Sequence, residues 1–202
     1  VEDACELYEV TLEMIEACKG RSAFYDLLAA IYFRPLSAEQ IENIATIDWG
    51  QYADLNELFD EGINDITRYL RRRNSGTRQE LAVDFTSAFA GTSSWKGRYA
   101  VPYESVHTSE EGLMFQDAYH EVFRLYKENH VAKADGLDFP HDHLSFMCEF
   151  LVVLSERIEN ALYAGDDEEA LRQVDVSRAF LADHILSWFD TFQDTALLLL
   201  ET

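Results

Sequence analysis

Cysteine is scarce. Cys5, Cys18 and Cys148 are the three in 202 residues, and no C-x-x-C occurs. An odd count without paired spacing excludes a disulfide framework and gives no zinc knuckle, and it fits a reducing cytoplasm. Cys148 falls inside an apolar helical pattern and reads as a small buried residue. Long apolar runs are missing as well: Ala196–Leu200 falls far short of the roughly 20 residues that a membrane-spanning helix needs. Residues 1–20 are acidic and broken by charge throughout, with no basic start followed by an apolar core, so no secretory signal is read there. The chain begins at Val1 rather than Met, which leaves residues ahead of it open. Positive charge is the third shortage, with 16 Lys and Arg against 38 Asp and Glu and a net charge of −22. Such a surface repels nucleic-acid phosphates and anionic lipid and draws basic ligands, Arg-containing peptides among them. The plainer reason for an acidic surface is solubility. G-x-S-x-G, P-loop, G-x-G-x-x-G and H-E-x-x-H patterns are all absent.

What is present is helical periodicity in a chain that is 48% apolar, enough to build a core. Phe24, Leu27, Leu28, Ile31 and Tyr32 fall on one helical stripe that should stop before Pro35. Ser37 with Gln40 is a capping box opening a short helix with Ile41 and Ile44 on its inner face. Leu55, Leu58, Phe59, Ile63, Ile66, Tyr69 and Leu70 mark a longer helix, closed by Arg71, Arg72 and Arg73, where cations suit the helix end. After an Asn74-Ser75-Gly76 turn, Thr77 with Glu80 reads as a second capping box, opening a helix through Phe85 and Phe89 to Gly91. Residues 92–107 read as a long ordered loop, the kind that often carries function. Glu110 to Asn129 reads as helix, 130–140 as a second loop with Pro140 at the next helix start, and Phe146 to Ile158 as an apolar helix ended by Gly165. A last helical stretch runs through Phe180, Trp188 and Phe192. No run alternates at period two, and no repeat or linker appears. The expectation is one all-α domain over residues 1–202, of about eight to ten helices.

The densest titratable cluster is Asp138-Phe139-Pro140-His141-Asp142-His143, followed by Glu149. One reading is a metal-dependent phosphohydrolase built on His141-Asp142, with His107 and His184 completing the ligand set. The plainer reading makes Asp142 a helix N-cap and His143 an ordinary interfacial residue. Ser105, with no His placed near it locally, is a capping or turn residue rather than a nucleophile, and no catalytic residue is assigned.

Two segments together resemble the TorD/DmsD/NarJ family of redox-enzyme maturation chaperones. The first is Asp84-Phe85 … Phe89-Ala90-Gly91 … Pro102-Tyr103-Glu104-Ser105-Val106 … Gly112-Leu113-Met114; the second is Pro140-x-Asp142-His143 with Glu149-Phe150 beyond. Phe180 to Trp188 resembles the family's closing region. The family motif usually has Glu directly before the proline, where this chain has Phe139 with Asp138 as the nearest acid, and His107 stands where an aromatic is common. The resemblance implies an all-helical, cytoplasmic, non-enzymatic protein. It would bind the twin-arginine leader or N-terminal segment of a molybdopterin oxidoreductase and delay export until the cofactor is in place. It implies no tightly held cofactor or metal, weak guanine-nucleotide binding at most, no membrane insertion, and a monomer or homodimer.

A twin-arginine leader joins two guanidinium groups to a moderately apolar stretch, so holding it takes carboxylates and an apolar groove. Asp138, Glu104 and Asp142 are the candidate acids, and Trp95, Tyr99, Tyr103 and Phe139 the candidate aromatic surface. Ser105 and Pro140 belong to the same motifs, and His143 is placed to tune Asp142. Trp95 suits core packing and groove lining equally. The two loops, 92–107 and 130–140, are expected to lie together and form the groove.

Overall fold

The structure, a computed structural model, describes residues 2–52 and 56–200. Leu55 and the flanking Ala53 and Asp54 lie outside the described residues. In chain order the elements are α1 (Glu2–Phe33), α2 (Ala38–Ala45), a 3-10 turn (Trp49–Tyr52), α3 (Glu57–Leu70), α4 (Thr77–Phe89), α5 (Glu104–Thr108), α6 (Asp117–Glu128), α7 (Leu144–Ala164), α8 (Asp167–Phe180), a π-helical segment (Leu181–Leu186) and α9 (Ser187–Leu200). Among the described residues there is no strand, only two isolated bridges, Trp95 with Arg98 and Tyr103 with His143. The all-α expectation holds.

α7 is the axis. Leu144, Met147, Phe150, Leu151 and Leu154 are each no more than 1% exposed and, at 3.6 residues per turn, share one broad apolar face of the helix. α1 runs along one side of it and α8 along another. Ser145 Oγ donates to Ala29 O at 2.7 Å, joining α7 to α1 where Ala29 leaves room for close approach. α4 and α9 meet through a stacked pair, Phe89 on Phe192 at 5.6 Å, and Tyr32 of α1 packs edge-on against both rings. Cys148 is buried, as its pattern implied, and so is Cys18.

Local chemistry sets most helix ends. The Ser37–Gln40 capping box forms in full, and Ile41 and Ile44 are buried. Asn56 caps α3 and Asp166 caps α8. Gly165 ends α7 at φ +69°, a left-handed conformation that glycine adopts without steric cost. Arg73 donates to Leu70 O at the end of α3 and forms a two-pronged pair with Glu42 of α2.

Several boundaries differ from the sequence reading. Thr77 and Glu80 form no capping box: Gly76 holds the N-cap position without a side-chain bond, and Thr77 Oγ1 accepts from Asn74 N instead. Helix does not begin at Glu110. Gly112 at φ +63° and Phe115 at φ +62° break the backbone, and α6 starts only at Asp117. The first loop ends at Tyr103, because Glu104–Thr108 is helical. Pro140 does not open α7, which starts four residues later behind a turn. On α3, Leu58 is exposed. Phe192 touches Tyr32, Phe89, His107, Trp188 and Phe189. Phe192→Ala is expected to lower unfolding free energy by about 3–5 kcal/mol in denaturant titration.

Candidate functional site

The two family-like segments meet where the chain enters α7. Residues 102–105 run alongside 142–144: Leu144 N donates to Pro102 O at 2.8 Å, and Glu104 N to Asp142 O at 3.1 Å. The Asp142 side chain completes the join, its Oδ2 accepting from Ser105 N at 2.9 Å. Asp142 is therefore a helix cap, but of α5 rather than of its own helix. α7 is capped by His143, whose Nδ1 accepts from Ser145 N at 3.1 Å. With Nδ1 accepting, the imidazole is neutral and carries its proton on Nε2. Burial alone pushes His143 down to about 4.

The rest of the Pro-Tyr-Glu-Ser-Val segment is fastened to the π-helical turn. His184 Nδ1 lies 3.1 and 3.2 Å from the two Glu104 carboxylate oxygens. Trp188 Nε1 donates to His184 O, and His107 stacks on the Trp188 ring at 5.1 Å. Burial raises the Glu104 carboxyl above its ordinary value, with His184 opposing but not cancelling the effect. At His184 burial acts downward, but Glu104 outweighs it and the net direction is up.

Above this join lies a groove of about 600 Å³. Tyr99, Tyr103, Phe139 and His143 line it together with Phe33 of α1 and Phe85 and Phe89 of α4. The rings are in contact: Tyr103 meets His143 at 4.9 Å, Phe139 meets His143 at 5.2 Å, and Phe33 meets Phe139 at 5.4 Å. Leu113 and Met114 form an exposed apolar rim. Among the described residues no carboxylate lines this groove, and the one formally charged side chain in its wall is Arg34.

Of the residues singled out from sequence, Tyr99, Tyr103, Phe139 and His143 come together as expected. Pro140, Glu104, Ser105 and Asp142 lie buried rather than in the wall, with Asp142 wholly enclosed. Glu104 and Asp142, expected to face a ligand's guanidinium groups, are enclosed: the Glu104 oxygens face His184 Nδ1 and Asp142 Oδ2 accepts from Ser105 N, while Asp142 Oδ1 is buried without a hydrogen-bond partner among the described residues. Asp138 is exposed beside Phe139. Trp95 is neither core nor groove wall; it sits in a separate depression with Lys96, Arg98, Asp194 and Leu198. The phosphohydrolase constellation is not assembled. His107 stacks on Trp188, His184 pairs with Glu104, and His141 packs on Phe123 at 4.5 Å. Among the described residues no group of three or more His, Cys, Asp or Glu side chains could hold a metal. Sequence reasoning missed Phe33, Phe85 and Phe89 as groove wall, because their helical spacing is also that of core.

Helices around an aromatic groove, with buried acids and histidines engaged in the framework beneath it, have the build of a helical binding protein. The chain belongs to the nitrate reductase delta subunit family, whose sequence profile matches residues 53–194. It is similar to the chaperone protein TorD of Vibrio vulnificus strain YJ016, at 24% identity over 184 residues, covering 87% of this chain and 81% of that protein. It is also similar to the TorD chaperones of Vibrio cholerae strain N16961, at 26% over 181 residues (86% and 78% covered), and of Photobacterium profundum, at 26% over 187 residues (89% and 83% covered). These relatives are named chaperones, a non-enzymatic class, and no helix among the described residues is long and apolar enough to cross a membrane.

Removing the Asp142 cap leaves Ser105 N buried without a partner, so Asp142→Ala is expected to cost about 1–3 kcal/mol of stability and Asp142→Asn, which can still accept, distinctly less. The Glu104–His184 pair binds protons more tightly in the folded protein than in the unfolded chain. Its contribution is complete below the unfolded values of 4.5 and 6.5 and is lost as pH rises through the raised folded ones. His143 acts oppositely: its contribution is complete above 6.5 and falls away toward pH 4. The melting temperature should therefore fall on both sides of an optimum, and Glu104→Gln, which also removes the carboxylate that raises His184, should flatten the alkaline limb.

Proposed function

We propose that the chain is a cytoplasmic maturation chaperone that holds the leader or N-terminal segment of a molybdopterin oxidoreductase until its cofactor is inserted. The aromatic groove is the observation that carries this reading. It is mostly apolar, it lies where the two family-like segments meet, and its wall includes Tyr103 and Phe139. A leader's apolar stretch is disordered when free and binds by burying side chains in such a groove. Membership of a family whose curated relatives are named chaperones supports the same reading. The chaperone role needs no bond-making, and the groove presents aromatic faces and the neutral His143 rather than ionised catalytic groups.

The test is titration of a synthetic leader peptide, followed by calorimetry. Tyr103→Ala and Phe139→Ala are each expected to weaken binding by about tenfold or more, the usual consequence of truncating a buried aromatic anchor, with the unfolding midpoint largely retained. Unchanged affinity in both variants would remove the groove from the mechanism. Capture from the native cytoplasm should recover a molybdopterin enzyme precursor.

A further inference from the structure

Among the described residues the aromatic groove has no carboxylate and is flanked by Arg34, so it is a poor seat for the arginines of a leader. A second groove, of about 460 Å³, opens on the other side of Phe33. It runs between α1 and α7 under residues 131–137, and its wall is mostly apolar, with Phe146, Leu137 and Val153 among its lining. Phe33 lines both grooves. The rings of Phe139 and Phe146 pack against Phe33 at 5.4 and 5.9 Å, making a continuous aromatic ridge between the two.

This second groove carries two acids, Asp26 from α1 and Glu149 from α7. Neither forms a salt bridge among those found in the described residues. Burial first, and then the charges of Asp26 and Glu156, hold the Glu149 carboxyl above its ordinary value. Two carboxylates facing one apolar groove repel each other and favour an incoming cation. The single cation that the described residues place in the wall, Lys133, is already engaged: its Nζ donates to Phe139 O at 2.6 Å and stands 5.7 Å over the Phe146 ring.

We infer that the second groove takes the arginine-bearing part of the same leader, with guanidinium groups between Asp26 and Glu149 and the apolar part crossing Phe33 into the aromatic groove. The inference rests on the leader-binding reading and divides its recognition into two sites. Guanidinium suits the second groove on both counts, since it pairs with carboxylates through charge-assisted hydrogen bonds and stacks on aromatic rings such as Phe33 and Phe146. Extended peptide advances about 3.3 Å per residue, so a few residues carry a chain across one aromatic side chain.

The experiment uses two synthetic peptides that differ only in having the paired arginines replaced by glutamines. Each is titrated against the wild-type chain, the Asp26→Asn/Glu149→Gln variant, Phe139→Ala and Asp138→Asn. The wild-type chain should prefer the arginine peptide by about tenfold at low salt, a preference that shrinks as salt rises. Asp26→Asn/Glu149→Gln should abolish that preference while leaving affinity for the glutamine peptide unchanged. Its unfolding midpoint should not fall, because the change relieves repulsion between two acids. Phe139→Ala should weaken both peptides alike. Full retention of the preference in the double variant overturns the inference and leaves the aromatic groove standing, as does its loss in Asp138→Asn instead. If neither peptide binds the wild-type chain, the leader-binding reading fails and this inference with it.

Discussion

The bond between the Asp142 carboxylate and Ser105 N is the constraint on which the site depends. It joins residues 37 apart in sequence and is wholly enclosed. α5 has only five residues, too few to be stable alone, since helix nucleation is costly and its first N–H groups lack intrahelical partners. A carboxylate at that end satisfies a donor and meets the favourable end of the helix dipole. Once α5 is held, the preceding residues lie along the entry to α7, and Tyr103 is set against His143. The floor of the groove thus exists because one acid caps a helix from another part of the chain.

The same region shows why motif acids are poor guides to ligand contacts. Glu104 and Asp142 look in sequence like binding groups on loops. Folded, each is enclosed, where an unpaired carboxylate would be very costly. Each has a fixed partner there: Ser105 N–H for one oxygen of Asp142, and the His184 ring for Glu104. His184 reaches Glu104 from the π-helical segment, a local rewinding for which the sequence carries no signal. His107, standing where an aromatic is common in the family, still acts as a flat ring on Trp188, while its Nε2 meets Val101 O. Its departure from the family pattern is chemically conservative within this packing.

Legibility follows range. The Ser37–Gln40 box and the glycine end of α7 are readable because donor and acceptor, or the left-handed turn, sit within a few residues. The apolar run after Leu144 announces a buried helix for the same reason. Residues 110–116 read as helix because their composition is helix-compatible, while the break comes from positive-φ backbone at Gly112 and Phe115 and from Ser109 Oγ accepting from Leu113 N. Pro140 does mark a nearby helix, but the cap lies three residues further on at His143. The aromatic half of the site is legible in Tyr99, Tyr103 and Phe139. Phe33, Phe85 and Phe89 are not, because periodicity marks a side chain as inward-facing without saying whether another element covers it.

The net charge of −22 gains a more specific meaning from this arrangement. A diffuse negative field attracts any cationic segment, and over distances beyond about 8 Å at physiological salt it is largely screened. Such a field raises encounter frequency but discriminates little. Discrimination requires carboxylates fixed beside apolar surface, where solvent is partly excluded and a guanidinium gains both a partner and a stacking face. Asp26 and Glu149 stand beside such apolar surface, in the lining of the second groove. Separating the apolar seat from the charged one also removes a physical conflict, since carboxylates in the wall of the aromatic groove would lose hydration whenever an apolar stretch was bound there.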